Sequence, residues 1–210
     1  MRRPVQPLRR IARPRRGRQL KMDAIMIDPY SIWSHRDASE KEAHAEIENS
    51  SDRAAAVLGA AFIDDRLTEA IKARFHQDKN VFERLFSHTG ALSTFSAKID
   101  VAFSIGMLSK EAIEDLHVIR KVRNEFAHNL RMKSFAKAPV RDLIKNIHMS
   151  SRTLIKLPGG KNTLTLTFPP PASKIAKPTP RHAFISCCQC FILIFDHLRN
   201  VHPQPPKPNV

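Results

Sequence analysis

Residues 51–76 (SDRAAAVLGAAFIDDRLTEAIKARFH) carry the strongest periodicity in the chain. Val57, Ala61, Asp64, Thr68, Ile71 and Phe75 follow one another at spacings of 4, 3, 4, 3 and 4. Those spacings form one stripe of a helix with 3.6 residues per turn, so the segment predicts a long helix packed into a helical core. Asp64 breaks the apolar character of that stripe. A carboxylate on a buried face needs a partner, and a basic residue from another helix should supply it. Arg123 is the candidate for a structural Asp64–Arg123 ion pair, with Asp100 as the alternative partner of Arg123.

Further helices read out on both sides. From about Ala38 the pattern turns helical, and Glu40, Glu42, Glu46 and Glu48 mark a solvated first helix. A short helix around Lys79–Phe86 precedes the turn His88-Thr89-Gly90. Ser93 or Thr94 then caps a helix with Phe95, Ile99, Ala102 and Phe103, which Gly106 ends. Ser109 caps the next, Lys110 to about Leu130, with Glu111 in its first turn where the helix dipole favours an anion. Another short helix is expected at 141–149. Residues 152–157 and 163–168 alternate apolar and polar around PGGKN, the pattern of a β-hairpin. A proline-rich linker covers 169–180, and a last helix runs from about Arg181 to Asn200. The fold class is therefore mainly α: a compact helical bundle with a small β-hairpin insertion and disordered basic termini. Its boundaries are a basic arm at 1–21, a helical domain at 38–200 with the hairpin at about 152–168, and a tail at 201–210.

Charge is distributed unevenly. The net charge of +15 resides in the flanks: residues 1–21 hold nine Arg or Lys and no acids, and 140–210 hold ten basic and two acidic residues. The intervening 22–139 holds 16 basic and 18 acidic residues, so charge alone credits no nucleic-acid binding to the core. The Arg- and Pro-rich arm lacks helical periodicity and is expected to be disordered when free. Three readings compete: it lies along phosphates; it is an organellar targeting peptide, which the prolines disfavour by spoiling an amphipathic helix; or translation starts at Met22 or Met26 and the arm is never made. The three cysteines, Cys187, Cys188 and Cys190, crowd one turn of an apolar helix. They read as buried free thiols rather than metal ligands, because a structural zinc site wants separated ligand pairs; no metal and no cofactor is expected. With no secretory signal, the cytoplasm is the expected compartment. The longest apolar run, about 12 residues against the roughly 20 that a bilayer requires, predicts no membrane span.

One local motif could carry chemistry. Arg123-Asn124-x-x-x-His128 has the form of the Arg-(Asn/Asp/His)-x-x-x-His signature of HEPN-like domains, small helical modules of which many are dimeric, metal-independent ribonucleases. A histidine near neutrality can move a proton at a ribose hydroxyl, and an arginine can neutralise charge on a phosphate. Arg123, Asn124 and His128 are thus the catalytic candidates. Geometry weighs against a site within one chain, since five positions place Arg123 and His128 about 140° apart around a helix. A structural role for Arg123 and a helix-terminal role for His128 stay open beside catalysis.

Taken in order, SSDRAAAVLGAAFIDDRLTEAIKARF, LFSHTGALSTFSAKIDVAFSIGMLS and LHVIRKVRNEFAHNL resemble the mannitol operon repressor family over residues 51–131. The resemblance implies a nearly all-helical core and a role in regulating a sugar-alcohol operon. No helix-turn-helix with a basic recognition helix accompanies it, so direct reading of bases is not expected. Nucleic acid, RNA or DNA, would instead be met without base readout by the flanks: Arg9, Arg10, Arg13, Arg15, Arg16, Arg18, Lys156, Lys161 and, further on, Lys174, Lys177 and Arg181. The expected protein is a non-enzymatic regulator, homodimeric, acting through a regulatory protein or nucleic acid. The alternative is a HEPN-like ribonuclease or toxin-type RNA-binding protein.

Overall fold

The structure is a computed structural model, and it describes residues 38–148, 152–156, 163–167 and 179–200. The basic arm, the 157–162 turn, the proline-rich stretch 168–178 and the 201–210 tail, with the expectations attached to them, lie outside the described residues. Seven helices occur among the described residues: α1 (Ala38–Asn49), α2 (Asp52–Lys72), α3 (Lys79–Phe86), α4 (Phe95–Ser104), α5 (Lys110–His128), α6 (Val140–Ile144) and α7 (Pro180–Asn200). Strands β1 (Arg152–Lys156) and β2 (Thr163–Thr167) pair antiparallel, with Leu154 opposite Thr165. The fold is mainly helical, and none of the described helices is long and apolar enough to cross a membrane.

Side-chain caps fix where the helices begin. Ser51, Asp78, Thr94 and Ser109 each accept a hydrogen bond from the backbone N–H three residues on, satisfying donors that the first turn leaves unpaired. Between α3 and α4, Gly90 donates to the Ser87 carbonyl, and Leu92 donates to that of Leu85. A Cβ at Gly90 would lie 2.3 Å from the Leu85 oxygen, so only glycine fits this turn. Gly106 closes α4 at φ +72°, a conformation that other residues rarely adopt.

Helix α2 is the centre of the molecule and packs on α7, α5, α1 and α4. Its buried residues are Ala55, Ala56, Gly59, Ala60, Ile63, Leu67, Ala70 and Ile71. This corrects the stripe read from sequence: of those six positions only Ile71 is buried, and Ala61 is exposed. A helix contacted on four sides has no single seam, and here alanines and a glycine, weak markers of periodicity, form the innermost face. Their small size brings α7 close. A Cβ placed on Gly59 would sit 3.3 Å from Cys188 Sγ and 3.6 Å from the Phe184 ring. Phe126 of α5, Phe135 of the following loop and Phe184 of α7 pack in series, the first pair edge to face and the second tilted, with ring centroids 4.9 and 5.0 Å apart. All three are buried, so the end of α5 is anchored to the core.

Asp64 is met by Lys98 of α4, Nζ to Oδ1 at 2.8 Å, and not by Arg123. The expected Asp64–Arg123 pair is therefore corrected. Asp64 projects toward α4, where the lysine side chain is itself nearly buried, whereas Arg123 leaves α5 on its exposed side. Asp100 is likewise approached by His117, at 3.6 Å, rather than by Arg123.

Candidate functional site

The apolar face of α5, with Leu116, Ile119, Val122 and Phe126 fully buried, turns the rest of that helix outward. Arg123 and His128 are exposed and Asn124 is half-buried. Arg123 Nη1 donates to Asn124 Oδ1 at 2.9 Å, which turns the guanidinium toward the Asn124 side. Asn124 and His128, four positions apart, share that side of the helix. His128 is the last residue of α5, where the dipole favours a positive charge. Two of the three motif residues are thus joined directly.

The loop after His128 is pinned from a distant helix. Arg53, in the first turn of α2, donates to the carbonyls of Phe126, Asn129, Leu130 and Met132, the last three at 3.1, 3.2 and 2.8 Å. The end of a helix leaves its last carbonyls without intrahelical partners, and one planar guanidinium serves that of Phe126 together with three in the loop beyond. The Arg131 amide donates to Asn129 Oδ1 at 3.0 Å, and the Met132 amide donates to the Asn129 carbonyl. With Met132 and Phe135 buried on one side of this loop, Leu130 is pushed out and is 82% exposed. Arg131, Lys133 and Lys137 are exposed around it, and none of the three forms an ion pair among the described residues.

A second arginine does the same beside it, through the neighbouring residue Asp52. Arg181 Nη1 donates to Asp52 Oδ1 at 2.6 Å, and its Nη2 donates to the carbonyls of Ile47, Glu48 and Ser50 that close α1. Asp52 Oδ2 also accepts from the Phe135 amide at 2.9 Å. Adjacent residues Asp52 and Arg53 therefore tie together the ends of α1 and α5 and the start of α7. Arg181, placed among the nucleic-acid contacts by its sequence position, has its guanidinium committed to this junction. Of the other flank candidates, Arg9, Arg10, Arg13, Arg15, Arg16, Arg18, Lys161, Lys174 and Lys177 lie outside the described residues; Lys156 is placed in β1 by its backbone only.

Two further groups were not singled out in the sequence. Asp115, fully buried on α5, accepts from both the amide and Nδ1 of His148, at 2.8 and 2.9 Å. It thereby docks the chain beyond α6 onto α5. Asp142 of α6 accepts from Arg141 and Lys145, and these cations, Arg141 foremost, hold its exposed carboxyl down to about 2. Glu111 is also held below the usual carboxylate range, by the backbone N–H it accepts from at the start of α5 and by Ser109. The three cysteines are buried free thiols on α7, and desolvation pushes each thiol up, away from the reactive thiolate.

The fold and this surface define a mainly helical protein with a rigid, cation-rich helix end. The family model described as mannitol repressor matches residues 51–162, just over half of the chain. The chain belongs to the mannitol repressor family. Among solved structures it is similar to the protein in the X-ray structure of the MtlR–HPr complex from Escherichia coli, with a TM-score of 0.55 and 15% identity. The likeness covers 76% of this chain and 99% of that one. A search of the curated proteins returns no match.

Proposed function

We propose that this protein is a non-enzymatic regulator of gene expression that acts by binding a partner protein. The observation that carries this reading is the shared fold: nearly the whole of the Escherichia coli chain, solved in complex with HPr, has its counterpart here. A helix end held still by Arg53 and Asp52 suits such a role, because a surface already fixed in its bound shape loses little entropy on association. HPr is the partner assigned on this reading, the cytoplasm the compartment, and a sugar-alcohol operon the target. Deleting the gene and measuring transcripts tests it. Transcripts of sugar-alcohol utilisation genes are expected to rise in the deletion strain and to fall when the chain is restored. Unchanged transcripts in both would contradict the regulatory role.

The bond between Arg123 and Asn124 favours a second reading, a HEPN-like ribonuclease with Arg123, Asn124 and His128 at its site. Under it, the protein cleaves RNA with EDTA present, and His128→Ala lowers the rate by orders of magnitude at unchanged helicity. The regulatory reading expects no cleavage from either protein. Nucleic-acid contact by the basic arm, should it contribute, weakens steeply with salt and on removal of residues 1–21.

A further inference from the structure

Two patches on this chain are complementary to each other. The first is Leu130, 82% exposed on the loop that Arg53 pins, with Arg131 and Lys133 exposed beside it. The second is a groove of about 280 Å³ between α1 and α2, lined by Ala43, Ile47, Leu58, Ala61 and Phe62 and bordered by the carboxylates of Glu46 and Asp65. An apolar cavity of about 150 Å³ already admits a benzene-sized group, so a leucine side chain fits such a space. Glu46 and Asp65 are exposed and form no ion pair among the described residues, as is true of Arg131 and Lys133. Residues 38–72 as a whole carry eight acids and four bases, whereas 120–139 carry six bases and one acid.

The two patches of one chain cannot meet. Arg53 fixes the Leu130 loop at the first turn of α2. The groove residues Leu58, Ala61, Phe62 and Asp65 are centred about 130° round that helix and roughly 12 Å along it. We infer that the groove receives Leu130 from a second copy of this chain, with Arg131 and Lys133 facing Glu46 and Asp65. Phosphate would answer the cations but offers nothing to the leucine, and an apolar groove bordered by carboxylates would repel a nucleic acid outright. When each copy offers its leucine to the other, the contact occurs twice and closes a dimer. This inference stands apart from the choice of regulatory partner.

The test is sedimentation equilibrium of the full chain over a concentration series, with Leu130→Glu and Ala61→Lys as variants. Both positions are exposed, so matched circular dichroism is expected. The wild type should dimerise. Each variant alone should weaken dimerisation at least tenfold, by placing like charges together in the contact. An equimolar mixture of the two should associate more tightly than either alone, because the intact leucine of one variant meets the intact groove of the other. A wild type that stays monomeric, variants that dimerise as well as it does, or a mixture no tighter than its components would each overturn the proposal.

Discussion

Arg53 makes more main-chain contacts than any function read from its position in the sequence would require. Its guanidinium serves four carbonyls from Phe126 to Met132, so removing it strands several partly buried acceptors at once. Hydrogen bonds from charged donors contribute about 1.5–3 kcal/mol, and Arg53→Ala is expected to lower the unfolding free energy by at least that amount in a urea titration. Arg53→Lys should recover only part of the loss, since an ammonium lacks the planar fork. An Arg53→Ala protein as stable as wild type would show that the loop is held by Met132 and Phe135 alone. Asp142 gives a separate test. Its folded carboxyl lies near 2 because Arg141 and Lys145 favour the charged form. The contribution of these contacts is therefore present above the ordinary carboxylate range and is lost as the pH falls through about 2. An NMR titration of the Asp142 carboxyl should find its midpoint there, and a midpoint near 4 would mean that the three side chains do not stay together in solution.

At the scale of elements, the close approach of α2 and α7 depends on Gly59. A valine at that position would drive its methyls into Cys188 and Phe184 and should cost about 1–3 kcal/mol. The same substitution provides a sensitive readout. In the wild type Cys187, Cys188 and Cys190 are buried with raised thiol pKa, so thiol reagents should label none of them before unfolding, whereas Gly59→Val should admit labelling at lower denaturant. Helix starts were legible from sequence because capping is local: Ser109 needs only its own next turn, and Thr94 likewise. Partners across helices were not. That Asp64 required a cation was readable, but choosing Lys98 over Arg123 depends on how α4 and α5 lie against α2, which no spacing records. Asp115 carries the same kind of signal. It stands at spacings of 4, 3 and 4 from Ile119, Val122 and Phe126, the same pattern that exposed Asp64, and its partner His148 lies beyond a further helix. Arg53 and Arg181 left no such trace, since a side chain that caps another helix's carbonyls has no sequence signature of its own.

Over the whole molecule, the sequence shows cationic flanks and a nearly neutral middle, and the fold then divides that middle. Acids gather along α1 and α2, and bases along the end of α5 and the loop after it. The candidate residues divide in the same way: Arg123, Asn124 and His128 share the basic end with Leu130, while half-buried Asp64 pairs with Lys98 between α2 and α4. A protein with two such poles, and with its helix ends held by Asp52, Arg53 and Arg181, is suited to presenting surfaces, in keeping with the proposed assignment of HPr as its partner. Calorimetric titration of the full chain with HPr from the same source organism tests that assignment most directly. The account predicts saturable binding with a fixed number of HPr molecules per chain, unchanged in His128→Ala apart from any local contact. A flat titration at high concentration, with the chain folded and HPr active toward its other partners, would contradict it.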